Sequence, residues 1–228
     1  MKMTLDQKCA LLSGKSVFQT REYKNLGIPS IWLSDGPHGL RKQAGASDHL
    51  GLNPSVEATC FPTAATIANS WDETLGEKVG EALGEETATL GVNVLLGPGL
   101  NMKRNPLCGR NFEYFSEDPL ISGKMASAMV RGLQSLPGGG GCIKHYAANN
   151  QETNRNAVDS VIGQRALREI YLEPYKIAIQ ESQPLSIMSS YNLINGVPTA
   201  DSYDLCTDLA RGEWGFEGLI MTDWNGGS

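Results

Sequence analysis

Near the end of the chain, Leu219, Ile220 and Met221 form an apolar run. It is entered through Gly215 and Gly218 and closes on Thr222, Asp223 and Trp224. A short apolar run bounded by glycines reads as a buried strand. A carboxylate at the C-terminal end of such a strand, beside an indole, stands where α/β-barrel enzymes place reacting groups. The plainer alternative is that Asp223 only caps the next element, a frequent task for aspartate. Other strand-like runs end in the same manner. Residues 31–33 lead to Asp35 and Arg41, and residues 91–97 to a polar stretch with Arg104, Arg110 and Glu113. Cys142 and Ile143 lead to Lys144 and His145 with Arg155 beyond, and residues 185–190 lead to Tyr191.

This mixture has a chemical meaning. Carboxylates that only accept, cations that only donate, and two aromatic faces together suit a neutral polyhydroxylated ring. Charged groups bond its hydroxyls strongly, and aromatic rings cover its C–H faces. A phosphosugar site would use the same cations but has no need of Asp35. Taken singly, Arg41 or Arg155 could be a surface ion pair, and Tyr191 a core residue with a bonded hydroxyl. Glu113, Glu117 and Asp118 could be structural partners of the arginines. Lys144 and His145 are harder to explain as packing, because a lysine ending a buried strand is costly unless it is paired or working.

The elements that must position these groups follow from periodicity. Residues 1–14 predict an amphipathic helix ending at Gly14. Leu75, Val79, Ala82 and Leu83 predict a helix over 71–90, and Ile121, Met125, Met129, Val130 and Leu133 one over 119–136. A helix over 164–181 is predicted with Pro174 as a kink, and another over 204–214. Strands are expected at 31–33, 63–70, 91–97, 142–145, 185–190 and 218–222. Residues 42–60, 98–118 and 149–159 are polar loops; structureless loops of that length are usually functional. Gly138–Gly141 lacks the Lys-Ser/Thr of a phosphate loop and reads as a flexible helix-to-strand connector. The order strand, loop, helix repeats about six times, with long loops after the strands. This is the pattern of a (β/α)8 TIM-barrel-like domain. Six units cannot close such a barrel, so the domain is expected to be incomplete.

Composition sets the outer limits. The chain has 228 residues, 40% hydrophobic and 19% charged, with a net charge of −6. That balance disfavours nucleic acid and anionic membranes as partners. No segment is apolar enough to span a bilayer, and the first residues do not resemble a signal peptide. The five cysteines contain no CxxC pair and suggest free thiols, so a cytoplasmic location is expected. The three histidines, at 38, 49 and 145, lack metal-ligand spacing, and no metal or cofactor is expected.

Five ordered motifs resemble glycoside hydrolase family 3, the bacterial and fungal β-glucosidase group. They are Ser34-Asp-Gly-Pro-His-Gly-Leu-Arg41, Gly109-Arg-Asn-Phe-Glu-Tyr-Phe-Ser-Glu-Asp-Pro119, Lys144-His145 with Asn154-Arg155, Met188-Ser-Ser-Tyr-Asn192, and Met221-Thr-Asp-Trp224. The resemblance implies a retaining, exo-acting β-glycosidase in which Asp223 is the nucleophile and Trp224 walls the sugar site. It implies that Asp35, Arg41, Arg110, Lys144, His145 and Arg155 hold sugar hydroxyls, with Tyr191 beside the nucleophile. Basic neighbours are expected to keep the Asp223 pKa low. The substrate would be an oligosaccharide or aryl β-glycoside. The family's acid/base glutamate normally lies in a later α/β sandwich domain, so residues 1–228 are expected to be a truncated N-terminal barrel domain. Glu113 and Glu152 are weak substitutes for that acid. The string Lys144-His-Tyr-Ala-Ala-Asn-Asn150 differs from the KHF-x-GHG motif of the N-acetylhexosaminidase branch. An open sheet edge would favour self-association or a complementing C-terminal chain. The competing class is a non-catalytic sugar-binding fragment or scaffold.

Overall fold

The computed structural model describes residues 2–48 and 52–227, so His49 and part of the 42–60 loop lie outside it. Five parallel strands form the main sheet: β1 (Leu33–Ser34), β2 (Val94–Leu95), β3 (Gly140–Tyr146), β5 (Ser186–Ser189) and β8 (Leu219–Met221). Their order in space is β1-β2-β3-β5-β8, so each strand pairs with the next one of this sheet in sequence. The register runs Leu33 to Val94, Val94 to Gly140, Cys142 to Ser186 and Ser186 to Leu219. This parallel progression curls the sheet into a half-barrel, the incomplete TIM-barrel-like fold expected, and places every strand's C-terminal end on one face. β4 (Asp159–Ser160), β6 (Leu193–Ile194) and β7 (Val197–Pro198) make a second, three-stranded sheet. Asn195 and Gly196, both at positive φ, turn its hairpin.

The helices cover the outer face. α1 (Leu5–Leu11) starts in a capping box in which Thr4 and Gln7 bond each other's backbone. α3 (Glu73–Thr89) is capped by Asp72, which accepts from Thr74 and Leu75, and α4 (Pro119–Leu133) by Asp118 with proline at the first turn. Asp118 is thus structural, but as a helix cap that accepts the Ile121 N–H rather than as a partner of an arginine. Gly76, Gly80 and Gly84 line the α3 face against α4, and the backbones approach until a Cβ has no room. A methyl on Gly80 would lie 2.3 Å from the Met129 carbonyl oxygen. At the other end of α3, Lys42 Nζ donates to the Leu90 carbonyl and sits 4.4 Å over the Trp32 ring. Between the helices and the sheet lies the core, with Leu83, Met125, Leu133, Ile143, Tyr146 and Tyr175 almost wholly buried.

Three expectations need correction. Residues 63–70 hold a helix, α2 (Ala64–Ala68), instead of a strand. Thr63 caps it by accepting the Thr66 N–H, and His38 Nε2 accepts the Ala64 N–H at 2.9 Å. An N-cap threonine before an alanine-rich segment is a helix start, and the β-branched residues there did not outweigh it. The main sheet therefore has five strands among the described residues. Gly138–Gly141 is only half a connector: Gly138 turns at φ 91°, while Gly140 already opens β3, packed against Leu185. Finally, Pro174 does not kink a continuous helix. α5 (Gln164–Ala166) passes into a wider turn at Leu167–Tyr171, where Leu172 N–H reaches back to the Leu167 carbonyl. Pro174 then starts α6 (Glu173–Ser182), where its missing N–H costs nothing. The last helix, Asp204–Glu213, is also wide-turned.

Candidate active site

The strands' C-terminal ends open on a cavity of about 180 Å³ lined by Asp35, Arg110, Lys144, His145, Arg155, Tyr191, Asp223 and Trp224. Of the residues that the resemblance assigns to the sugar site, Arg41 is not part of this lining. It is exposed, and its N–H closes the turn through Gly36 and Gly39 on the Asp35 carbonyl at 2.9 Å. Arg104 is also elsewhere: it bonds the Tyr171 hydroxyl and lies over that ring. Phe18 and Met188 line the cavity as well. Met188 sits in β5, inside a motif already singled out. Phe18 gave no signal, because it reaches the site through a tertiary contact: its carbonyl accepts the Leu33 N–H of β1 at 2.8 Å.

Asp223 is fixed by its own loop. Its Oδ1 accepts the Trp224 N–H at 2.7 Å, and its carbonyl accepts the Gly226 N–H at 2.8 Å. The Tyr191 hydroxyl donates to the Trp224 carbonyl at 2.6 Å. The Trp224 indole donates to the Val17 carbonyl at 2.9 Å and leans on the Phe18 ring, centroids 5.4 Å apart. The Trp224 ring is therefore pinned through both its backbone and its indole.

The cations arrive already partnered. Lys144 Nζ, buried, lies 3.7 Å from Asp35 Oδ1. Arg110 pairs with Glu113 and lies 3.8 Å from Glu152 Oε1. Arg155 donates to Glu152 Oε2 at 2.9 Å and stacks 4.8 Å over the Tyr191 ring. Glu152 also accepts from Asn149 at 3.3 Å. Glu113 and Glu152 are thus supports of the arginines, and neither lines the cavity.

These pairings decide the electrostatics. Burial pushes the Asp223 carboxyl above its ordinary pKa, against the Trp224 N–H, Tyr191, Lys144 and Arg110, which pull it down. The expectation of a depressed Asp223 is therefore overturned: the basic neighbours are matched by their own carboxylates, and desolvation wins. Burial, then Asp223, holds the Tyr191 phenol above its usual range. His145 is driven well below 6.5, first by burial and then by Arg110, Lys144 and Arg155, and is neutral. Its Nε2 lies 3.8 Å from Asp223 Oδ2, which is no ion pair.

A second cavity of about 390 Å³ shares Arg155, Tyr191 and Trp224 with the first, and the β6–β7 hairpin residues Leu193 and Pro198 line it too. Two adjoining spaces, each lined by both charged and apolar side chains, meet at Arg155, Tyr191 and Trp224.

Residues 7–227 match the description Glycosyl hydrolase family 3 N terminal domain, and the chain belongs to that family. It is 48% identical over 223 residues to thermostable beta-glucosidase B of Acetivibrio thermocellus, covering 98% of this chain and 29% of that protein. It is 50% identical over 223 residues to an exo-alpha-(1->6)-L-arabinopyranosidase of Bifidobacterium longum, covering 97% and 29%. Beta-glucosidase 3B from Thermotoga neapolitana, solved in complex with alpha-D-glucose, superposes with a TM-score of 0.91 at 44% identity, over 99% of this chain and 33% of that one. The chain thus spans less than a third of the length of these curated relatives.

Proposed function

We propose that this chain is the sugar-binding, nucleophile-bearing part of a retaining exo-β-glycosidase, with β-glucosides as its first substrates. The observation that carries the reading is the Asp223 carboxylate, set in a small cavity between hydroxyl-binding ion pairs and the pinned Trp224 ring. Relatives named as beta-glucosidases over nearly the whole chain support it. The arabinopyranosidase of similar identity keeps a pentopyranoside within reach of the same frame.

In this reading Asp35 with Lys144, Arg110 and Arg155 bind the hydroxyls of the terminal ring, and Trp224 covers its apolar face. Ionised Asp223 attacks the anomeric carbon as the glycosidic C–O bond breaks. A carboxylic acid about 5 Å away protonates the departing oxygen, then acts as base on the water that hydrolyses the glycosyl-aspartate, so configuration is retained. The second cavity receives the leaving group. Glu113 and Glu152 are committed to arginines, which supports an acid/base from a later domain of a longer protein.

A 2-deoxy-2-fluoro-β-glucoside with a good leaving group needs little acid assistance and tests the nucleophile directly. Intact-mass measurement should show one sugar adduct on the chain and none on Asp223→Asn. Saturable glucose binding without an adduct would refute the catalytic claim and leave a sugar-binding module.

A further inference from the structure

The two ring nitrogens of buried His145 meet different neighbours. Nε2 lies 3.0 Å from Arg110 Nη2, and Nδ1 lies 3.0 Å from Tyr114 Oη. A guanidinium carries donors only, so Nε2 must be the acceptor and the proton of the neutral ring must sit on Nδ1. The Tyr114 hydroxyl then accepts that N–H. Tyr114 is 1% exposed and meets the imidazole edge-on, with 6.1 Å between centroids.

We propose that Arg110 and Tyr114 together lock His145 in its Nδ1–H tautomer: Arg110, a donor only, leaves Nε2 the acceptor's part, and the Tyr114 hydroxyl takes the Nδ1 proton, so that only a lone pair faces Arg110, Asp223 and the cavity. The opposite tautomer would aim an N–H at an Arg110 donor and toward Asp223 Oδ2, 3.8 Å away. The two states make the cavity differ by a proton. The catalytic consequence rests on the glycosidase reading. A locked His145 can accept from a sugar hydroxyl, in competition with Arg110, but it cannot protonate a leaving group or the nucleophile.

The His145 backbone is held independently of Tyr114. Asn101 brackets it with bonds of 2.9 and 3.1 Å to the His145 carbonyl and N–H, and the Tyr175 hydroxyl donates to the same carbonyl at 2.7 Å. Tyr114→Phe should therefore leave the ring in place and remove only the acceptor.

The test is nitrogen NMR of the ¹⁵N-histidine-labelled chain at neutral pH without sugar, with signals assigned through His38→Gln and His49→Gln. His145 should show a pyrrole-type, proton-coupled Nδ1 and a pyridine-type Nε2, and its Nδ1 proton should show cross-relaxation to the Tyr114 ring. In Arg110→Met, which takes away the donor facing Nε2, the Nδ1–H signal should lose intensity to an Nε2–H signal, whereas Tyr114→Phe, which keeps that donor, should hold the Nδ1–H tautomer with a faster-exchanging proton. A wild-type ring protonated on Nε2, or on both nitrogens, would overturn the proposal. So would a folded Arg110→Met chain with an unchanged tautomer. If that variant does not fold, the wild-type protonation pattern and cross-relaxation decide alone. The spectrum does not depend on turnover, so absence of a fluoroglycoside adduct leaves it unaffected.

Discussion

The α3–α4 crossing yields a prediction in which two effects of opposite sign compete. Replacing Gly132 by alanine in a helix normally gains about 1 kcal/mol in helix propensity. Here the added Cβ would stand 2.0 Å from the Glu77 carbonyl oxygen and 2.7 Å from the Glu81 nitrogen. Both are backbone atoms, so no side chain can rotate away. Restoring ordinary contact at 3.4 Å would part the helices by roughly 1.4 Å, the difference between those two distances. Overpacking costs ~1–3 kcal/mol where side chains can adjust, and rigid backbone places this site at or beyond the upper end. The net expectation is a loss of ~2 kcal/mol or more, or ~4–8 °C in Tm for a domain of this size. Gly80→Ala, with the Met129 oxygen at 2.3 Å, should behave alike. Gly45→Ala meets nothing within 4 Å and should change stability by less than ~0.5 kcal/mol. Calorimetric melting of the three variants checks this. A Gly132→Ala chain as stable as the parent, or more stable, would mean that the helices are not in backbone contact, and the account of the packing would fail.

Two further expectations concern charge. His38, half-buried, is lowered from 6.5 to about 4 by burial and then by Lys144, against Glu113, and His145 is also lowered well below 6.5, chiefly by burial. Histidines depressed in the folded state bind protons more readily when unfolded, so stability is intact above pH 6.5 and falls as the pH drops through the window toward 4. Each contributes up to ~1.4 kcal/mol per pH unit there. Denaturant titrations at pH 7 and 5 should therefore differ by a few kcal/mol, offset in part by Asp223, whose raised pKa has the opposite sign; no loss of stability at pH 5 would refute buried neutral histidines. Glu152→Ala strips a partner from both Arg110 and Arg155, and Glu152 is 26% exposed, between the surface and buried cases. Exposed pairs contribute below ~1 kcal/mol and broken buried pairs cost ~3–5 kcal/mol, so a loss near ~2 kcal/mol is expected by chemical denaturation, less for Glu152→Gln.

The parts of the fold that could be read in the sequence were those with local signals. The 3.6-residue spacing of α3 and α4, the apolar run of β8 and the polar loops after the strands all predict a parallel half-barrel with its working groups on one rim. What escaped depends on tertiary contact. The Gly76, Gly80 and Gly84 stripe looks like poor helix material until α4 is laid against it. Phe18 joins the site only through its pairing with β1. The β6–β7 hairpin carries a local cue, Asn195-Gly196, the dipeptide a tight two-residue turn favours, in a stretch to which the expected elements assign nothing. Thr63 was misjudged because a capping threonine and a strand threonine look alike until the next residues prove helical.

The electrostatics went the other way for a reason that spacing alone does not reveal. Counting Arg110, Lys144 and Arg155 around Asp223 predicts a strongly acidic carboxyl. The structure gives Lys144 to Asp35, Arg110 to Glu113 and Glu152, and Arg155 to Glu152, so little unmatched positive charge remains for Asp223. Its carboxylate is held by the Trp224 N–H and largely buried, and burial prevails. On the reading proposed above, Asp223 is a nucleophile more basic than a free aspartate at the moment of attack, and its reactivity is switched off by acid earlier. An adduct-forming rate measured against pH should then fall on the acid side at a pH above that of an ordinary aspartate. Asp35→Asn frees Lys144 from its partner and should move that limb to lower pH. A limb that stays in place in Asp35→Asn would show that Lys144 does not reach Asp223, and the balance of charges described for the cavity would be wrong.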